Sequence, residues 1–327
     1  MTRDASILQT RSFLYASLLF FCLGLLGPTP SALTSPLLWG AAIALGGLPH
    51  GALDWWLGRE QMRPLLGRFW SISFATLYVA CALAVVGMAL FRPQETLVVF
   101  LFAAAWHFGA SDSLSSKSDR MHRFETLLRG LAPLTMPTLA WPGATRQSFA
   151  YLTDDSFGAA LVSVLSPLAL LTLCGTLALA VRTIFPGCRP THRRTVFELF
   201  AISSLAVVLP PLEFFAVYFC LLHSPRHLLR HIARPSDVSW SRYGLVVGGL
   251  SAVAAASMFS VAAIVGLEIG LGPATVATTF WALAALSAPH ILLNAWAERA
   301  RAPLDLSTRK THTPPFAAGS PRYGHLY

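Results

Sequence analysis

Apolar residues run through almost the whole chain in stretches long enough to cross a lipid bilayer. A transmembrane helix needs about 20 mostly apolar residues, and ten such runs are separated by short polar or proline-containing segments. The predicted spans are residues 13–27, 37–57, 69–91, 96–110, 124–141, 157–181, 196–209, 212–231, 243–267 and 275–297. This pattern predicts an all-α protein, a polytopic integral membrane bundle of about ten transmembrane helices that forms one transmembrane domain over residues 1–302.

The orientation of the spans follows from the basic residues between them. The adjacent prolines Pro210 and Pro211 remove two backbone donors and separate the seventh span from the eighth. With that break and the N-terminus inside, only Arg92 and Arg146 lie in outer segments, and the other basic residues between spans lie inside. Both termini are therefore predicted to be cytoplasmic, the protein to be a multi-pass protein of the cell's inner membrane, and residues 303–327 to form a cytoplasmic tail.

Composition agrees with a membrane protein. Apolar residues make up 54% of the chain and charged residues only 12%, against about 25% charged residues in soluble domains. The formal charge of +9 comes from short clusters between apolar runs, so the predicted partner is the lipid bilayer and not a nucleic acid. The five cysteines form no CxxC pair, which argues against a disulfide framework and against c-type haem attachment.

Histidines inside the predicted spans are the main functional signal. Five of the ten histidines lie there, all in even-numbered spans and all a few residues before the predicted cytoplasmic end: His50, His107, His223, His227 and His290. They therefore share one depth, in the inner half of the bilayer. Ionisable side chains are costly in a membrane unless they pair or bind a ligand. The set favours a metal or cofactor site over separate hydrogen bonds between helices.

Local spacing refines this prediction in two of the motifs. In HSPRH, His223 and His227 are four residues apart, so one helix face presents both rings. Pro225 between them is predicted to kink that helix. Asp54 follows His50 by four residues and is predicted to be either a further ligand or the carboxylate that orients an imidazole.

Other residues near these motifs are predicted to line the pocket. Asp112 follows His107 at a looser spacing. In the tenth span, Asn294 stands where the second span has its aspartate, so His290 is predicted to lie in or beside the pocket without a carboxylate to orient it. Aromatic residues of the same region, among them Trp106 and Tyr218, are predicted to line a channel for a long apolar substrate.

Chemistry narrows the choice of function only partly. Imidazoles bind Zn, Cu, Fe and Ni alike, so the metal stays open. HSPRH lacks the general base of HExxH proteases. The only lysines, Lys117 and Lys310, lie outside the spans, which excludes a retinal Schiff base within the membrane. A metal-dependent enzyme, a transition-metal transporter that uses the same histidines and a b-haem electron carrier all remain open.

At these motifs the chain resembles the Brp/Blh family, integral-membrane β-carotene dioxygenases that supply retinal to microbial rhodopsins. Four stretches carry the resemblance, in the order that the family has them: GLPHGALDWW (47–56), WHFGASD (106–112), HSPRH (223–227) and PHILLNAW (289–296). Together they span most of the chain, and their combination is more specific than any one of them.

The resemblance implies a particular site and reaction. It implies non-haem Fe(II) held by His50, His107, His223 and His227, with Asp54 close by. It also implies that O2 cleaves the central double bond of all-trans-β-carotene to give two all-trans-retinal molecules, and that the chain has a functional link to a microbial rhodopsin. The resemblance does not decide whether His290 touches the metal.

Overall fold

The computed structural model describes residues 3–26, 35–231 and 237–301, which contain helices and no strand. The helices are α1 Arg3–Leu25, α2 Pro36–Gly46, α3 Leu48–Ala52, α4 Asp54–Leu66, α5 Trp70–Phe91, α6 Pro93–Asp112, α7 His122–Thr135, α8 Pro137–Ala140, α9 Pro142–Ala150, α10 Asp155–Arg182, α11 Pro190–Val208, α12 Pro211–Tyr218, α13 Ser224–His231, α14 Trp240–Ile269 and α15 Leu271–Arg301. A 3₁₀ turn (Gly67–Phe69) precedes α5, and a π-helical turn (Phe219–His223) joins α12 to α13. The all-α prediction is confirmed, whereas the predicted tail 303–327 lies outside the described residues.

Several helices have the length and composition of membrane spans. Five described stretches are long and apolar enough to cross a bilayer: Asp4–Leu25, Pro36–Phe91, Asp155–Arg182, Trp240–Ile269 and Leu271–Ala300. Large apolar side chains cover the outer surfaces of these helices, for example Leu245 and Leu267, which are 76% and 87% exposed. The chain is therefore a helical membrane protein. The number of ten spans and the cytoplasmic termini stay predictions.

The second predicted span is not one helix, which corrects the interpretation of residues 37–57 as a single helix. The helix is interrupted at Gly47 and again at Leu53, giving α2, α3 and α4. Pro49 has no N–H to donate within the helix, and Gly47 packs so closely that a Cβ there would lie 2.2 Å from Cε1 of Phe219. The second of these breaks lies between His50 and Asp54, so the two residues do not share one continuous helix.

The core of the bundle surrounds α11 and the continuous helical segment 211–231. Side chains with at most 1% exposure fill it: Leu199, Ile202, Leu205, Phe214, Tyr218 and Leu222. Helices α6 and α7 lie beside this core and pack closely against each other. A Cβ on Gly130 of α7 would lie only 2.1 Å from the carbonyl oxygen of Ala105 on α6. The segment 211–231 that carries HSPRH is thus enclosed by other helices.

Pro225 perturbs its helix through the π-helical turn that precedes it. Proline cannot donate to the carbonyl four residues earlier, here that of Leu221. The side-chain amide of Gln9 on α1 donates instead to the carbonyl oxygens of Leu221 and Leu222, at 3.3 and 3.2 Å. Single π turns inside α-helices are frequent at functional sites, and this one ends at His223.

A buried network of charged side chains ties this segment to its neighbours. Arg129 on α7 donates to Glu125 and to Glu198 of α11, each at 2.7 Å, and Arg226 on α13 donates to Glu198 at 2.6 Å. All four side chains are at most 1% exposed. Buried charges are tolerated when they are paired and hydrogen-bonded, so the network fixes α13 against α7 and α11.

Candidate metal centre

Five imidazole rings from five helical segments meet in the interior. They come from α3, α6, the π turn, α13 and α15, and each residue is at most 8% exposed. Centroids of neighbouring rings lie 4.9 to 6.2 Å apart. The members of this cluster are His50, His107, His223, His227 and His290. The prediction that the intramembrane histidines gather at one place is therefore confirmed.

The donor atoms of three of these rings lie especially close together. One ring nitrogen each of His107, His227 and His290 lies within 4.8 Å of the other two, close enough for the three to hold one metal ion. Nε2 of His223 is buried and has no hydrogen-bond partner among the described residues. Imidazole nitrogens gathered at one point are a donor set that suits Fe, Zn, Cu or Ni.

Three rings are held through the Nδ1 nitrogen. Because each acceptor is a carbonyl or carboxylate oxygen, Nδ1 carries the proton. His50 donates to the carbonyl of Gly47 at 2.5 Å, His223 donates to Asp112 at 3.2 Å, and His290 donates to Asp54 at 2.9 Å. In each ring Nε2 is then the nitrogen with an available lone pair. Metal-binding histidines are commonly oriented in this way, so the residues fit a metal ion.

Each of the two carboxylates also accepts a hydrogen bond from a tyrosine. Tyr218 donates to Asp112 at 2.7 Å, and Tyr78 donates to Asp54 at 2.9 Å. Two series of hydrogen bonds of the same kind, each from a tyrosine to an aspartate and from that aspartate to a histidine, thus reach the cluster on different helices. Tyr78 carries no motif in the sequence, and only the packing of α5 against α15 reveals its position.

The pairing of carboxylates with histidines differs from the sequence-based prediction. Asp54 bonds to His290 and not to His50, so the prediction that His290 lacks an orienting carboxylate is wrong. The cause is the break between α3 and α4, which invalidates a spacing argument that assumes one continuous helix. Asp112 likewise bonds to His223 of another helix.

Asn294 contacts His290 at its backbone and along its ring. Its amide nitrogen donates to the carbonyl of His290 at 2.8 Å and lies 3.3 Å from both ring nitrogens. A donor aligned with one lone pair of an imidazole cannot be equally far from the other nitrogen. The amide therefore packs along the ring without occupying the lone pair of Nε2.

Two arginines of α13 fix the end of α6 that carries Asp112. Arg226 donates to the carbonyl of Asp112 at 2.9 Å, and Arg230 donates to the carbonyls of Ser111 and Ser113. Cations at a helix C-terminus satisfy its last carbonyls and its dipole. Sequence reasoning missed Arg226, although an arginine inside a predicted span is itself a signal of a buried partner.

A large apolar cavity adjoins the histidine cluster. It has a volume of about 820 Å³ and lies between α5, α6, α14 and α15, with His50, His107, His223 and His290 in its wall. Along α15 the lining runs from Ala277 to Ile291, so the histidines lie at one end. Leu83 on α5 and Val253 on α14 also line it and are 62% and 67% exposed, so the cavity opens to the outer surface between these helices.

Aromatic residues enclose the inner end of this cavity. The ring of Phe108 meets that of His223 edge-on at 4.7 Å, and Phe219 stacks on the same imidazole at 5.5 Å. The predicted pocket position of Trp106 is wrong, because this side chain is 55% exposed and points away from the cavity. Its neighbour His107 faces inward, and adjacent residues of a helix point in directions about 100° apart.

Comparisons with known proteins agree on one family. A family model described as "Beta-carotene 15,15'-dioxygenase" matches residues 41–298. A protein from uncultured marine bacterium 66A03, named "Beta-carotene 15,15'-dioxygenase", is 27% identical over 272 residues, covering 77% of this chain and 90% of the relative. A Halobacterium salinarum protein (strain ATCC 700922 / JCM 11081 / NRC-1), named "Probable beta-carotene 15,15'-dioxygenase Blh", is 27% identical over 300 residues, covering 83% and 86%. No solved structure matches the chain significantly.

Proposed function

Because the chain belongs to the beta-carotene 15,15'-dioxygenase family, we propose that it cleaves the central double bond of all-trans-β-carotene with O2 and releases two all-trans-retinal molecules. The reaction takes place at a non-haem Fe(II) centre held by His50, His107, His223 and His227. The observation that carries this proposal is the convergence of buried imidazoles at the end of a long apolar cavity, with the Nδ1 atoms of His50 and His223 already hydrogen-bonded.

The proposed reaction balances without an external reductant. The C=C bond of the polyene and the bond of O2 are broken, and two C=O bonds are formed, so each aldehyde receives one oxygen atom. Iron(II), when bound, supplies the binding and activation of O2. The sequence carries no flavin, nicotinamide or iron–sulfur signature, in agreement with this balance.

Residues of the chain orient the imidazoles before the substrates arrive. The carbonyl of Gly47 and the carboxylate of Asp112 hold the Nδ1–H groups of His50 and His223, which fixes the tautomer and presents Nε2 to the centre. Tyr218 holds Asp112 in turn. Orientation of this kind lowers the reorganisation needed during the reaction.

The cavity binds and aligns the polyene. Its lining on α15 extends over residues 277–291, about 20 Å of helix, and it consists mostly of aliphatic and aromatic side chains. Such a surface favours a hydrocarbon over water. Phe108 and Phe219 keep water from the histidines, and the opening between α5 and α14 admits a substrate that is dissolved in the bilayer.

The cellular setting follows from the same chemistry. β-Carotene is confined to membranes, so we place the enzyme in the cell's inner membrane, where the carotenoid, O2 and the lipid bilayer meet. The product retinal is the chromophore that a microbial rhodopsin requires, and we propose a functional link to such a protein.

Expression in a bacterium that makes β-carotene tests the proposal. Cells with the wild-type chain and added iron should lose their orange colour and accumulate retinal. His223→Ala and His227→Ala should abolish retinal formation, whereas His192→Ala, at a buried histidine outside the cluster, should leave it intact. Persistent β-carotene with wild-type protein in the membrane contradicts the proposal, and His223-dependent metal uptake without retinal favours the transporter instead.

A further inference from the structure

Two tyrosine–aspartate pairs reach the histidine cluster, and they treat His223 and His290 alike. Tyr218 and Asp112 hold Nδ1 of His223, and Tyr78 and Asp54 hold Nδ1 of His290. The distance from Nδ1 of His290 to Asp54 is 2.9 Å, and that from Nδ1 of His223 to Asp112 is 3.2 Å. The arrangement that orients the ring of His223 therefore also orients the ring of His290.

The position of His290 agrees with a role inside the cluster and not beside it. Its donor nitrogen lies within 4.8 Å of those of His107 and His227, so these three could hold one metal ion together. Its ring centroid lies 4.9 to 5.4 Å from those of His50, His107 and His227. The residue is 4% exposed and lines the cavity.

The available lone pair of this ring points to a ligand. With the proton on Nδ1 committed to Asp54, Nε2 is an acceptor, and the amide of Asn294 lies equally far from both nitrogens without aligning with either. A histidine that only joined α15 to α4 would not need its ring packed among three other imidazoles. Neutral imidazole with one nitrogen on a carboxylate is the usual state of a metal ligand.

We propose that His290 is a ligand of the metal centre, and that Asp54 and Tyr78 are its positioning residues. The inference rests on the proposed iron centre and extends its ligands beyond His50, His107, His223 and His227. Tyr78 lies on α5, which also lines the cavity. The hydrogen bonds from Tyr78 through Asp54 to His290 therefore connect the wall of the cavity with the metal centre.

Metal binding to the purified full chain tests this inference without relying on turnover. Fe(II) affinity and stoichiometry, and the visible spectrum of the Co(II)-loaded protein, are measured for the wild type and for His290→Gly with and without added imidazole. We expect His290→Gly to lose metal and to change the Co(II) spectrum, and free imidazole to restore both by occupying the vacated position. His192→Gly is the matched control, because His192 also lies beside an aspartate, 3.3 Å from Asp119, but outside the cluster.

Two nearly isosteric variants keep the test decisive if His290→Gly does not fold. Asp54→Asn and Tyr78→Phe should weaken Fe(II) binding about 10- to 100-fold, as the loss of an orienting partner typically does. Metal affinity unchanged in His290→Gly, or unchanged in both Asp54→Asn and Tyr78→Phe, overturns the inference. If the wild type itself binds neither metal, the proposed iron centre fails, and this result is distinguishable from a failure of His290 alone.

Discussion

The carboxylate of Asp54 lies 2.9 Å from Nδ1 of His290, although Asp54 follows His50 by only four residues in the sequence. Asp112 likewise follows His107 closely in the sequence but accepts a hydrogen bond from His223, which lies on another helix. Each carboxylate thus joins two helices at the cluster, and the loss of one should loosen the centre as a whole.

Asp112→Asn should therefore weaken metal binding without unfolding the protein. The amide keeps the shape of the side chain but loses the charge that holds Nδ1–H of His223 and accepts from Tyr218. We expect about 10- to 100-fold weaker Fe(II) binding, measured by metal titration of the purified chain. Asp119→Asn in the loop after α6 is the control, and equal affinity of the two variants contradicts the role given to Asp112.

Filling the cavity should block the substrate and leave the metal centre intact. Ala254 on α14 lines the cavity, whereas Ala256 on the same helix is exposed outside it. Ala254→Trp should lower β-carotene turnover about 10²-fold, because displacing the polyene from its reacting position has costs of this order. Ala256→Trp should retain turnover and both should retain iron; normal turnover in Ala254→Trp indicates that β-carotene binds elsewhere.

Breaking the buried charge network should destabilise the fold. Arg129→Met removes the partner of Glu125 and one partner of Glu198, leaving uncompensated charge in the interior. Such a loss typically costs about 3 to 5 kcal/mol, so the unfolding midpoint in detergent should fall markedly. Arg146→Met, at an exposed pair with Asp155, should leave the midpoint unchanged. Similar midpoints for both variants contradict the structural role of the network.

Asp154, at the start of α10 and outside the spans, should make a pH-dependent contribution to the stability of the fold. Hydrogen bonds from Ser156, Phe157 and Gln94 lower the pKa of Asp154 from 3.8 to about 2. A lowered pKa stabilises the fold above pH 3.8, and this stabilisation is lost as the pH falls toward 2. Asp154→Ala should lower the unfolding midpoint at pH 6, and the difference from wild type should shrink between pH 4 and 2. A difference independent of pH argues against the charged cap.

The sequence predicts the class of fold and the convergence of the histidines, because both depend on properties local to each helix. Hydropathy identifies apolar helices, and position along a span gives the depth of a side chain such as His107. From HSPRH the sequence predicts a kink at Pro225, and the structure has a π-helical turn that ends two residues before it, since a missing N–H acts within the same turn.

Contacts between helices were out of reach of the same reasoning. Tyr78 meets Asp54 only because α5 packs beside α4 and α15. The break between α2 and α3 falls at Gly47, where Phe219 leaves no room for a Cβ, and the break between α3 and α4 falls at Leu53, between His50 and Asp54. Periodicity gives the face on which a side chain lies, whereas the residue that it meets across the interface is decided by tertiary packing.

Isotope labelling of the products tests the central claim most directly. The purified, iron-loaded protein is supplied with β-carotene and ¹⁸O2, the products are separated, and their masses are measured by mass spectrometry. The account predicts two retinal molecules for each β-carotene and each O2 consumed, with one ¹⁸O atom in each aldehyde before exchange with water. The account is contradicted if the two fragments differ in length, if only one of the two retinal molecules carries ¹⁸O, or if the iron-loaded protein does not cleave β-carotene.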